Sequence, residues 1–135
     1  MSFRGLDRAQ KSFNNKVNEA VQKIADDAAQ TLIVSSPVDT GRFRGNWLAA
    51  NETVNGNTNQ SGQPGASFGM TMTAREQANV RAIKKAKAGK DIFISNNLVY
   101  AESLEAGRSK MAPGGVLFVG VMRVAAKWRR RGGTI

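Results

Sequence analysis

The chain contains no cysteine and no histidine. The first absence excludes disulfides, thiolate nucleophiles and thiolate metal sites. The second removes the commonest general base and the commonest metal ligand, so a metal would need clustered carboxylates. Acidic residues are scarce as well: 10 Asp and Glu stand against 20 Lys and Arg, a formal charge of +10 over 135 residues. No apolar run approaches the roughly 20 residues of a membrane span, and Met1–Asp7 lacks the apolar core of a signal peptide. A protein made in a cytoplasm is expected, without a membrane. Aromatic residues make up 7% of the chain, too few for the stacked platform of a single-strand binder.

With 41% hydrophobic residues, the chain is long enough for one core, and a single domain over 1–135 is expected. The charge is uneven. Met1–Asn79 holds 8 basic and 7 acidic residues, whereas Val80–Ile135 holds 12 basic and 3 acidic. An excess of that size suits an acidic protein or a nucleic acid and says nothing about fold.

From about Asp7 to Val34, apolar residues recur at helical spacing: Phe13, Val17, Val21, Ile24, Ala28 and Leu32. They predict a long amphipathic helix with Asp7 as N-cap, long enough for part of it to pack on a neighbouring subunit. Ser35-Ser36-Pro37 ends it, because proline lacks an N–H and biases Ser36 away from helix. Asp39-Thr40-Gly41 has turn chemistry, so Pro37–Trp47 reads as the corner where the fold reverses direction. A strand is expected within Phe43–Val54. The Asn/Gly/Ser/Thr/Gln-rich segment 55–69 reads as a flexible polar surface loop or hairpin tip, or more sharply as a loop that becomes ordered against a partner, since it has little apolar surface to bury.

Thr73-Ala74-Arg75-Glu76 has capping-box spacing and predicts a helix over 74–88 with Ala78, Ala82 or Ile83, and Ala86 inward, closed by Gly89. Asp91–Asn96 is the clearest strand. Val99–Gly107 reads as a short helix stopped by glycine, 108–115 as a loop, and 116–131 as a closing helix with a basic end. Along that last segment Val116, Val119 or Gly120, Met122 or Arg123, Ala126 and Arg130 are the candidate inward positions.

No constellation for catalysis emerges. Asp39-Thr40-Gly41 matches the aspartic-protease tripeptide, where two aspartates share a proton. Here Arg42 and Arg44 follow it, and a nearby cation holds an aspartate ionised; the reading preferred is a turn aspartate bonded to local backbone N–H groups or to Arg42. Asp26 and Asp27 are adjacent on a helix and diverge. Glu102 and Glu105 lie near Arg108 and Lys110 and read as surface ion pairs. There is no Walker-type or G-x-G-x-x-G loop. Non-enzymatic function without a cofactor is expected. Two basic clusters, Arg81, Lys84, Lys85, Lys87 and Lys90, then Lys127, Arg129, Arg130 and Arg131, form the candidate interaction surface, with DNA binding as an alternative.

Two separated stretches are more specific. Ser36-Pro37-Val38-Asp39-Thr40-Gly41-Arg42-Phe43-Arg44-Gly45-Asn46-Trp47 resembles the P-V-D-T-G-x-L-x-x-S signature of tail-completion or head–tail joining (neck) proteins of long-tailed bacteriophages. Ile94 through Gly107, with Asn96, Tyr100, Ala101, Leu104, Glu105 and Gly107, followed by Ala112-Pro113-Gly114, is similar to that family's N-x-x-x-Y-A-x-x-x-E-x-G … A-P-x-G segment. Phe43 and Gly45-Asn46 depart from the usual leucine and serine. The resemblance implies an α+β fold, a small antiparallel sheet packed by the first and last helices. It also implies a virion protein without enzymatic activity, forming a homo-oligomeric, sixfold ring in the neck. Its neighbours would be the connector or stopper and the tail-tube or terminator proteins, with contact to packaged DNA; a tail terminator is the alternative within the class. Gly107 and Gly114 would permit tight turns, and Tyr100 with Leu104 would anchor the second stretch.

Overall fold

The computed structural model describes residues 4–131; residues 1–3 and 132–135 of the expected domain lie outside them. The fold is α+β. Helix α1 (Arg4–Val34) leads into strand β1 (Trp47–Asn51), helix α2 (Ala74–Asn79), strand β2 (Ile92–Asn96), helix α3 (Ala101–Glu105) and helix α4 (Leu117–Arg130). The two strands are antiparallel, with Trp47 opposite Asn96 and Ala49 opposite Ile94. Trp47 and Ala49 alternate inward and join Ile92 and Ile94 on one face. A two-stranded sheet is marginal alone and needs helices on it. Here the core is completed by Ala25, Ala29, Leu32 and Ile33 of α1, and by Val80, Ile83, Leu98, Ala112 and Val116.

Helix α1 begins before Asp7, which lies in its first turn rather than at an N-cap. Its buried stripe is also rotated from the expected one. Leu32 is buried, Val17, Val21 and Ala28 are half-buried, and Phe13 and Ile24 are exposed; Ala25, Ala29 and Ile33 take the inner positions. Small alanines there allow close approach of α4, whose Gly120 lies against Leu32. The domain covers only the second half of this helix. Residues 5–16 are exposed throughout, and Phe13 is 65% exposed.

The strand expected from Phe43 starts only at Trp47, because Arg44–Asn46 form a single 3-10 turn. The helix expected over 74–88 changes pitch. The capping box is formed, Thr73 accepting from the Glu76 N–H and Glu76 accepting from the Thr73 N–H, but α2 ends at Asn79 and a 3-10 helix runs over Arg81–Lys85. The inward residues are consequently Val80, Ile83 and Ala86, three apart as 3-10 geometry requires, while Ala78 is exposed. In α4 the inward positions are Gly120 and Val124, following Val116 at steps of four. Met122, Arg123, Ala126 and Arg130 are exposed instead. Among the described residues, no helix is long and apolar enough to cross a membrane.

Candidate functional site

The corner is built by three successive polar or aromatic anchors. Arg44 and Glu76 are both fully buried and form a two-pronged ion pair, with Nε to Oε2 at 2.8 Å and Nη2 to Oε1 at 2.9 Å. Arg44 also donates to the carbonyls of Ser67, Met70 and Thr71. The Asn46 side chain accepts from the Asn59 N–H and donates to the Asn59 carbonyl, each at 2.7 Å, copying one rung of a sheet. Trp47 donates through Nε1 to Ser36 Oγ at 2.8 Å, and Ser36 donates to the Leu32 carbonyl of α1.

The polar segment 55–69 has no regular secondary structure, yet it is tied down at several points. Besides Arg44 and Asn46, Gln63 Nε2 donates to the Gly41 carbonyl and to Glu76, and its Oε1 accepts from Thr73. Arg75 donates to the carbonyls of Ser61 and Gly62. Hydrogen bonds to charged groups thus hold in place a strap that apolar burial could not. Gly41 is part of this closure. Its φ is +81°, and a Cβ there would meet Gln63 and Ala66 at about 3 Å.

Burial pushes the Glu76 carboxyl upward, but the bonds from Arg44, the Thr73 N–H and Gln63, with the Arg44 charge, bring it below the ordinary glutamate value of 4.5. Nothing in the local sequence pattern connects Arg44 to Glu76, 32 residues away. The one available signal was the capping-box spacing, which located Glu76 but not its second partner.

The two resembling stretches meet in space. Asn96 Nδ2 donates to the Phe43 carbonyl at 2.8 Å. The Arg42 guanidinium lies 5.0 Å above the Tyr100 ring, donates through Nε to the Tyr100 hydroxyl and reaches Gln60. The rings of Tyr100, Phe43 and Trp47 follow one another at 6.1 and 5.8 Å. Tyr100, Ala101 and Leu104 are partly buried against the core. Between the stretches lies a cleft of about 550 Å³, walled by Pro37–Thr40, Arg42, Gln60, Tyr100, Leu104, Ser109 and Met111.

Several site expectations need correction. Asp39 is exposed at the cleft edge and, among the described residues, has no hydrogen-bond partner; Thr40 Oγ1 accepts the Arg42 N–H instead. The contact that sets α1 against the sheet is therefore Trp47–Ser36, not Asp39. Asp39→Ala is expected to change unfolding free energy by less than about 0.5 kcal/mol, measured by urea denaturation, as for other exposed sites without partners.

Glu105 is not a surface ion pair. Its carboxylate accepts the N–H groups of Val116, Leu117 and Phe118 at 2.9, 2.6 and 2.9 Å, capping α4 from α3. Burial raises its pKa, and those three bonds carry it below 4.5. Gly107 does take a left-handed turn, φ +85°, and a Cβ there would run into the Pro113 carbonyl; the other such turn falls at Gly115, not Gly114.

The basic residues lie in two places along α1. Arg81, Lys84, Lys85, Lys87 and Lys90 are exposed on and after the 3-10 helix, with Lys90 3.7 Å from Glu52. At the end of α4, Lys127 and Trp128 both donate to Asp27, Arg131 stacks over Trp128, and Arg129 and Arg130 are exposed. Asp26 faces a separate groove beside Lys84. Among the described residues, no group of three or more carboxylates could hold a metal. Compared with family models, with curated proteins and with solved structures, the chain gives no match.

Proposed function

We propose that the chain is a non-enzymatic structural subunit of a long-tailed bacteriophage virion. In this reading it is assembled in the host cytoplasm into a homo-oligomeric, sixfold ring of the neck, between the head connector and the tail. The observation that carries it is spatial. The two stretches that resemble neck proteins lie some 50 residues apart, yet Asn96 bonds to Phe43 and Tyr100 to Arg42. The resemblance therefore concerns one packed unit rather than two unrelated tripeptide matches.

The surface supports the same reading. A ring subunit touches neighbours through two different patches, and a connecting layer through a third. Exposed apolar side chains occur on separate elements: Leu6 and Phe13 on α1, and Leu117, Phe118, Val121 and Met122 on α4. The exposed cluster Arg81, Lys84, Lys85 and Lys87 favours an additional contact with packaged DNA in the channel. A place in the tail-terminator layer would use the same surfaces.

Deleting the gene from its phage tests the proposal. Filled heads and separate finished tails are the expected products, with joining restored when purified protein is added to the extract. Normally joined particles from the deletion would overturn it.

A further inference from the structure

Helix α4 presents two faces. Gly120 and Val124 are buried against α1, and Lys127 and Trp128 are held by Asp27. The other face carries Leu117, Phe118, Val121 and Met122, between 45% and 65% exposed. Together they form an apolar patch on the order of 400 Å², the scale at which an exposed patch on a small protein is commonly a contact surface. Phe118, Met122, Ala125 and Arg129 follow one another at steps of four, three and four, so the apolar stripe runs directly into a cation. Arg123 and Arg130 lie further round the helix, beyond Met122, and are exposed. Among the described residues, none of Arg123, Arg129 and Arg130 has an ion-pair partner.

We infer that this face docks an acidic amphipathic helix of another protein. Such a helix would lay its apolar side on Phe118 and Met122 and its carboxylates against Arg129. Charge separates this occupant from the alternatives. A second copy of the chain again carries 20 basic against 10 acidic residues, so like charge opposes it at a face that ends in arginines. Nucleic acid would satisfy the arginines but leaves Leu117, Val121 and Met122 against phosphate, with no gain from their desolvation. An acidic amphipathic segment matches both halves of the stripe. The inference deepens the neck reading by naming the chemistry of one neighbour, but it does not require the phage for its test.

The test uses the full chain and three fluorescent probes: a helical peptide of about 14 residues with leucine on one face and glutamate on the other, the same peptide with lysine for glutamate, and a short DNA duplex. The glutamate peptide is expected to bind at least about tenfold more tightly than the lysine peptide, with affinity falling as salt rises. Phe118→Glu with Met122→Glu should weaken it by about tenfold or more, while circular dichroism stays unchanged because both side chains lie outside the core. Arg129→Glu should abolish the preference for glutamate.

Equal binding of the two peptides, or binding indifferent to Phe118→Glu and Met122→Glu, overturns the inference. Duplex that displaces the glutamate peptide, and whose binding depends on the arginines but not on Phe118 and Met122, assigns the face to nucleic acid. Self-association of the free chain that Phe118→Glu dissolves assigns it to a second copy. A failed peptide experiment leaves the deletion phenotype untouched, so the two readings fail separately.

Discussion

Arg44→Ala is expected to lower the unfolding free energy by about 3–5 kcal/mol, enough to leave much of a marginal domain unfolded. The side chain is fully buried and makes five hydrogen bonds, two to Glu76 and three to the backbone carbonyls of Ser67, Met70 and Thr71 at the end of the strap. Its removal strands the fully buried Glu76 carboxylate and frees the carbonyls of Ser67, Met70 and Thr71, which are nearer the surface. Glu76→Ala should cost a similar amount, since it leaves the guanidinium uncompensated and also removes the capping box on α2. Arg44→Lys should recover little, because an ammonium cannot span the carboxylate and the strap carbonyls at once. Urea midpoints for the variants measure all of this. An unfolding free energy for Arg44→Ala within about 1 kcal/mol of the parent would mean that the strap is dispensable.

The same carboxylates set the response to acid. Both Glu76 and Glu105 are held below 4.5 in the folded chain. A depressed carboxylate contributes stability that is fully present above its unfolded value and is lost as pH falls through its folded value. Stability should therefore decline from about pH 4.5 downward. With no histidine in the chain, it should be nearly flat between about pH 5 and 8. Glu76→Gln, although less stable, should show a shallower acid limb. An unchanged slope would place the acid-sensitive groups elsewhere.

How much of this was legible in the sequence depends on the range of each interaction. Periodicity and breaker residues located α1, β2, α3 and α4, because those signals are local: Pro37 after Ser36, Gly107 at positive φ, β-branched residues in Ile92–Asn96. The rotation of the buried stripe on α1 was not legible, because what packs on it, Gly120 and the 3-10 helix, lies some 50 to 90 residues away. The ties of the polar loop were not legible for a related reason. Its lack of apolar residues is visible in its own composition, whereas the hydrogen bonds from Arg44, Asn46 and Arg75 to its backbone come from residues distant in sequence. Asp39 drew attention through its tripeptide, yet Trp47 and Arg44, in the same stretch, carry the geometry.

Trp47→Ala should be about as damaging as Arg44→Ala, costing about 3–5 kcal/mol by lost packing against Phe43 and the α1 side of the core. Trp47→Phe separates two contributions to that loss. It keeps an aromatic ring in the core but loses the Nε1 bond to Ser36 and a third of the ring atoms, while the Ser36 hydroxyl remains bonded to the Leu32 carbonyl. A cost of about 1–2 kcal/mol is expected, and a larger one for Ser36→Ala, which removes both bonds and leaves the buried Trp47 N–H without a partner. Far-ultraviolet dichroism and urea midpoints report stability, and the emission of the remaining Trp128, which is held against α1 by Asp27, reports whether α4 stays docked. If Trp47→Phe proves as damaging as Trp47→Ala, the Ser36 bond rather than packing holds α1 to the sheet. In the neck reading the angle of α1 decides where its exposed residues 5–16 reach. Trp47→Phe should then still restore head–tail joining to a deletion extract, and Trp47→Ala should not.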